Sequence, residues 1–219
     1  MPQMIFQIDQ VGFSRGTQKI VSGISAELHS GEAIWITGSN GSGKTSLLRL
    51  LSGLSYPTVG EIRWNGENIA ALGEEFFKEL LYCGHVIGIK DDLTALENVL
   101  ISTRLSGKDC TEADALRALE QMELEHKSHI ATRSLSMGQK KRVALARLCI
   151  RPLPALLILD EPFSALDLHS IEFLCQLLTN YLAQGGMLIY TTHQEISLHA
   201  KKIHRLDLNR RDVKNDELC

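Results

Sequence analysis

The stretch Gly38-Ser39-Asn40-Gly41-Ser42-Gly43-Lys44-Thr45 constrains this chain more than any other. It has the spacing G-x-x-x-x-G-K-[ST]. The apolar, partly β-branched run Ala33-Ile34-Trp35-Ile36-Thr37 precedes it, and the helical pattern Ser46-Leu47-Leu48-Arg49-Leu50-Leu51-Ser52 follows. Strand, glycine turn and helix is the context that separates a phosphate-binding loop from a chance match. The glycines let the backbone wrap a triphosphate, so that successive N–H groups and the helix N-terminus face anionic oxygens. Lys44 is placed to reach the β- and γ-phosphates, and the Thr45 hydroxyl to bind Mg²⁺. Gly38 through Thr45, with Ser46, are therefore candidate nucleotide contacts.

Such a loop belongs to an open α/β sheet, and the length suits one. The 219 residues can build one α/β domain with room for an inserted lobe. Hydrophobic residues make up 44% and charged residues 22%, an ordinary globular balance. A net charge of −3 gives no reason to expect nucleic acid as a partner. The five cysteines form no C-x-x-C pair and no zinc spacing, which predicts reduced, structural thiols in a cytosolic protein. Met1 to Phe6 lacks a basic stretch leading into an apolar one, so no signal peptide is expected. No apolar run approaches the ~20 residues of a membrane helix. A membrane role must therefore come through a partner.

Residues 4–13 and 18–28 alternate apolar and polar and read as antiparallel strands with one solvated face. Residues 61–69 read as a strand, an Asn65-Gly66 turn and a second short strand. Leu80–Cys83 is a short strand. From about 86 to 150 the pattern turns helical, with helices over 93–105, 111–122 and 138–150. Thr111 and Asp114 are spaced as a capping box, and Pro152 and Pro154 end the last of these helices. A strand (155–159), a helix (168–182) and strands at 187–191 and 203–208 complete the alternation, which implies a parallel sheet. The helical stretch reads as an inserted subdomain within one domain spanning 1–219. The tail from Asn209 to Cys219 is polar and expected to fray.

Two further stretches carry chemistry. Leu156-Leu157-Ile158-Leu159 is a doubly buried strand ending in Asp160-Glu161, at the crevice where open sheets bind ligands. Beside a phosphate loop, Asp160 would hold Mg²⁺ and Glu161 would act as general base on the attacking water. Taken alone, an acidic pair ending a strand is common. Leu135-Ser136-Met137-Gly138-Gln139 leads into a helix, with Ser136 as N-cap and a second anion-attracting helix start. Taken alone, it reads equally as an ordinary capped helix whose Lys140, Lys141 and Arg142 form a solvated face.

The order of these elements resembles the nucleotide-binding subunits of ATP-binding-cassette (ABC) transporters over nearly the whole chain. Leu135–Gln139 is similar to the family signature L-S-G-G-Q, with Met137 in place of the first glycine. Pro162-Phe163-Ser164-Ala165-Leu166-Asp167 resembles the loop that crosses the family's dimer interface. Thr191-Thr192-His193 ends a strand where the family carries its switch histidine, which implies a γ-phosphate sensor at His193. The resemblance implies an ABC-type ATPase fold: a mostly parallel core sheet, an antiparallel β subdomain and the helical insert. It also implies a head-to-tail dimer with ATP and Mg²⁺. Ser136, Gly138 and Gln139 of one subunit would then face the phosphate loop of the other. Integral membrane subunits are the other implied partners.

Two departures stand out. His85 occupies the place of the family glutamine, and an imidazole titrates near neutrality. The adenine-stacking aromatic expected near residue 15 is absent. Arg15 stands there with Phe13 close by, and arginine can stack on a base. Tyr82 to Lys90, followed by Leu93-Thr94-Ala95-Leu96-Glu97-Asn98, is similar to the ATPase subunits of bacterial haem exporters in cytochrome c maturation. That resemblance implies a peripheral motor on the cytoplasmic face of the inner membrane. It would drive release of a haem-loaded chaperone without touching haem, since the chain has no C-x-x-C-H. An ATPase for another small exporter is the alternative. An ABC protein acting on ribosomes or DNA fits less well, because the chain has neither two cassettes nor long coiled coils. A small-molecule kinase fits neither the signature nor His193.

Overall fold

The computed structural model describes residues 4–209. The expectations for Met1–Gln3, for the tail beyond Asn209 and for Cys219 lie outside them.

Two sheets organise the chain. The first is antiparallel, in the order β2-β1-β4-β5, from β1 (Ile5–Arg15), β2 (Gln18–His29), β4 (Val59–Trp64) and β5 (Glu67–Asn68). The second is parallel throughout, in the order β6-β7-β8-β3-β9. Its strands are β3 (Ala33–Thr37), β6 (Leu80–Cys83), β7 (Leu156–Leu159), β8 (Met187–Thr191) and β9 (Ile203–Asp207). Successive strand side chains point to opposite faces, and here both faces are covered. Ile34, Ile36, Leu156, Ile158, Met187 and Ile189 join one core with the antiparallel sheet and helix α1 (Lys44–Leu51). Leu157, Leu159, Leu188 and Tyr190 join the other. That second core includes α7 (Leu168–Ala183) and the helical insert. The continuous apolar runs of β7 and β8 follow from this double burial.

Between β5 and β6 lie two short helices, α2 (Ile69–Leu72) and α3 (Glu74–Lys78), which periodicity did not predict because each is about one turn long. The insert contains α4 (Ala95–Leu105), α5 (Glu112–Gln121) and α6 (Met137–Leu145), the last tightening into a 3₁₀ turn over Ala146–Cys149. Reading that helix as continuous to residue 150 overlooked this change of pitch. The four described cysteines are free. Burial raises all four thiols, that of Cys149 to about 12, which favours their neutral form.

The capping box at Thr111 and Asp114 forms, and α4 carries another at Thr94 and Glu97. The Thr94 N–H and hydroxyl donate to the Glu97 carboxylate, each at 2.8 Å, and hold it below the ordinary range. The hydroxyl and then the N–H of Thr111 do the same for Asp114. A depressed carboxylate contributes stability above its unfolded pKa and loses it as pH falls through the folded value. Amide exchange at Thr94 and Thr111, corrected for intrinsic rates, should therefore accelerate below about pH 4. Protection that stays constant down to about pH 2 would refute these caps as anchors of the insert.

Candidate active site

The glycine loop leaves the carboxyl end of β3 and enters α1 through Gly43, whose φ of 99° suits glycine alone. A Cβ there would lie 2.9 Å from the Ile20 methyl, so β2 closes directly over the loop. Lys44 is 9% exposed, and its ammonium donates to the carbonyls of Gly38 at 2.8 Å and Ser39 at 3.1 Å. Ser42 Oγ is buried beside them without a hydrogen-bond partner. A cationic ammonium turned back on its own loop, next to an orphaned hydroxyl, is the polar set a phosphate would satisfy.

Asp160 is buried at the end of β7 and accepts two hydroxyl protons. Thr45 Oγ1 donates to Oδ2 and Thr191 Oγ1 to Oδ1, both at 2.8 Å. The same Thr191 oxygen accepts the Glu161 N–H at 2.8 Å. Thr45 and Asp160 thus bring two hard oxygens together, the donor type that Mg²⁺ prefers. Glu161 holds a left-handed φ of 50°, a conformation costing a non-glycine residue about 1–3 kcal/mol. Its Oε1 is buried without a hydrogen-bond donor and lies 3.4 Å from His193 Nε2. A cavity of about 410 Å³ collects Asn40, Gly41, Gly43, Lys44, Thr45, Ser46, His85, Asp160, Glu161, His193 and Ile20.

Other candidate residues sit apart. Ser39 lies outside this cavity, and its N–H and hydroxyl donate to Asn209 Oδ1 at 3.0 and 2.9 Å. Ser136 caps α6 and forms a capping box with Gln139, again outside the cavity. Gly138 packs so closely that a Cβ would stand 2.6 Å from the Ala165 carbonyl. Met137, by contrast, is exposed at the first turn, so a side chain is accommodated there within one subunit.

Neither Phe13 nor Arg15 lines the cavities at the loop. Phe13 packs on the apolar core under the antiparallel sheet, and Arg15 sits at the β1–β2 hairpin tip. The wall beside Ser39, Gly41 and Ser42 is instead Gln18 to Ile24. Lys141 departs from the solvated basic face expected of its run. It is 5% exposed, and burial pulls its ammonium below the ordinary value, against the opposing pull of Cys83, Asp160 and Glu161. Sequence reasoning also missed the bridging role of Thr191 and the contact of Ile20 with the loop. Thr191 gave only its place before His193 as a signal, and Ile20 gave none.

Fold and site together are those of an ABC-type ATPase. The ABC transporter family profile matches residues 21–164, and the chain belongs to that family. Among curated proteins it is similar to the cytochrome c biogenesis ATP-binding export protein CcmA of Dechloromonas aromatica. The identity is 43% over 204 residues, covering 93% of this chain and 100% of that protein. CcmA of Nitrosomonas europaea is 47% identical over 195 residues, covering 89% of this chain and 91% of that protein. CcmA of Escherichia coli K12 is 44% identical over 194 residues, with the same two coverages of 89% and 91%. Among solved structures, a dimer of the bacterial ABC transporter cassette MJ0796 superimposes with a TM-score of 0.81. It is 25% identical and covers 93% of this chain and 95% of that one. A post-hydrolysis dimer of the same cassette, bound to ADP and Pi, gives a TM-score of 0.76 at 25% identity, with coverages of 86% and 88%.

Proposed function

We propose that this chain is the ATP-hydrolysing subunit of a bacterial inner-membrane ABC complex that serves c-type cytochrome biogenesis. It would act on the cytoplasmic face and drive haem export, or release of haem-loaded chaperone, without contacting haem. The observation that carries this reading is the 43% identity to CcmA of D. aromatica along that protein's full length. Among the described residues no helix is long and apolar enough to cross a membrane, so the membrane step falls to partner subunits. A pull-down from membranes, with identification of the co-purifying integral subunits, tests the assignment. Recovery of subunits from an unrelated exporter, with none from cytochrome c biogenesis, would overturn it.

In this reading Gly38 to Ser46 hold the phosphates of ATP, and Lys44 exchanges its two carbonyl partners for phosphate oxygen. Thr45 and Asp160 would hold Mg²⁺, which supplies charge neutralisation to the phosphates. Glu161 takes the proton of the attacking water at its orphaned Oε1, and His193 stands beside it to sense the γ-phosphate. Ser136, Gly138 and Gln139 act on the nucleotide of a second copy, because within one chain they stand outside the cavity. His85 lines the nucleotide cavity and also a neighbouring crevice with Val86, Ile87, Ile89 and Met137, and so links the site to the insert.

That crevice and α4 form the proposed docking face for the membrane subunits. Val86, 85% exposed, and Met137, 63% exposed, line the same crevice with Ile87 and Ile89, a contiguous apolar patch of the kind that marks an interaction surface. Val86→Asp should abolish co-purification of the integral subunits and leave the isolated subunit's ATPase activity within about twofold of wild type. A drop in basal activity with intact assembly would move the docking face elsewhere.

A further inference from the structure

At the end of the core sheet opposite the glycine loop, a cleft of about 810 Å³ opens among the segments leading into β6, β7 and β8. Its floor is apolar, with Met4, Leu153, Ala155 and the Tyr181 side chain. The Tyr181 hydroxyl is already engaged by the carbonyls of Pro154 at 2.9 Å and Ala155 at 2.7 Å, which leaves it little to offer a ligand.

The rim is cationic. Lys78 ends α3, Lys108 stands between α4 and α5, and Arg151 follows the 3₁₀ turn. None of the three forms an ion pair with a described carboxylate, and the single acid in the lining is Glu79. Lys108 reaches from the insert to the core, where its ammonium donates to the Pro152 carbonyl at 2.6 Å. That contact supplies a hydrogen bond but no countercharge. Burial, and then the like charges of Arg147 and Arg151, push Lys108 below its ordinary value. Arg147 Nε is itself buried without an acceptor. A chain of net charge −3 has carboxylates to spare, yet among the described residues none pairs with these cations. Like charges held close together repel, and at Lys108, the partly buried member of the three, water screens that repulsion least.

We propose that this cleft is an anion-binding site for a small organic molecule carrying two carboxylate or phosphate groups on an apolar frame. Lys108 and Arg151 take the anionic groups, the arginine through its paired N–H donors. Leu153, Ala155 and the Tyr181 side chain cover the frame. The volume falls within the ~300–1,000 Å³ range of small-molecule sites. Because Lys108 belongs to the insert and Arg151 to the entry of β7, the bound anion would tie insert to core. The proposal is independent of which export complex the subunit serves.

Fluorescence titration with naphthalene dicarboxylate tests it, on protein saturated with ADP and Mg²⁺ so that the glycine loop is taken. One saturable site is expected, weakened at least about tenfold by Lys108→Gln combined with Arg151→Gln. Inorganic phosphate, which lacks the frame, should compete only weakly, and naphthalene bisphosphonate should compete well. If the double variant fails to fold, Lys78→Gln on the exposed rim should still weaken binding about threefold. Absence of a saturable site in the wild type overturns the proposal. So does a dissociation constant left unchanged by the double variant, or by Lys78→Gln where the double variant does not fold.

Discussion

Lys44→Ala should reduce ATP hydrolysis by more than about 100-fold, since it removes the ammonium held against the loop carbonyls. The fold should survive. Among the described residues the Lys44 ammonium donates only to the carbonyls of Gly38 and Ser39, and Lys44 itself lines an open cavity from which water can take its place. Phosphate release measured on purified, well-folded Lys44→Ala decides the matter. Turnover near the wild-type rate would remove the assignment of the loop as the nucleotide site.

Glu161→Gln should bind ATP with near-normal affinity and hydrolyse it about 10²–10⁴-fold more slowly. The amide keeps the size of the carboxylate but cannot take a proton from water. The unusual backbone at this residue should persist, because its anchor is the Glu161 N–H bond to Thr191 and not the side chain. With hydrolysis blocked, ATP should hold two copies together through Lys44 of one and Ser136 of the other. Size-exclusion chromatography with ATP and Mg²⁺ should then show a dimer. A variant that remains monomeric at high concentration would argue against the shared site.

Several features were legible because they are local. The glycine loop, its flanking strand and helix, and the capping box at Thr111 are each written within a few neighbouring residues. Periodicity within a strand or helix then locates the elements. The boundaries that slipped, at α4 and α6, did so where a cap residue or a 3₁₀ turn stands next to a helix and shares its apolar pattern. Arg15 and Phe13 were candidates for the base because of their sequence neighbourhood. Packing of the hairpin placed Phe13 against the core and Gln18 to Ile24 beside the loop.

Lys141 shows the opposite limit. Its run of basic residues has the composition of a solvated face, but a nine-residue helix packed on a core must bury one side. Lys140 reaches Asp91 at 2.5 Å on the exposed side, and Lys141 falls on the other. Composition cannot say which, because the choice depends on what packs against α6.

By itself, then, the sequence determined the alternation of strands and helices, the glycine loop between β3 and α1 and the acidic pair ending β7, since each depends on contacts a few residues apart. Only the tertiary structure decided that Thr45 meets Asp160 across 115 residues, and that Thr191 holds both Asp160 and the Glu161 backbone. It also decided that one end of the sheet gathers Lys78, Lys108 and Arg151 from three separate segments, none of them ion-paired among the described residues. The reason is that strand order in a parallel sheet is set by which apolar faces pack together, and chain order does not reveal it.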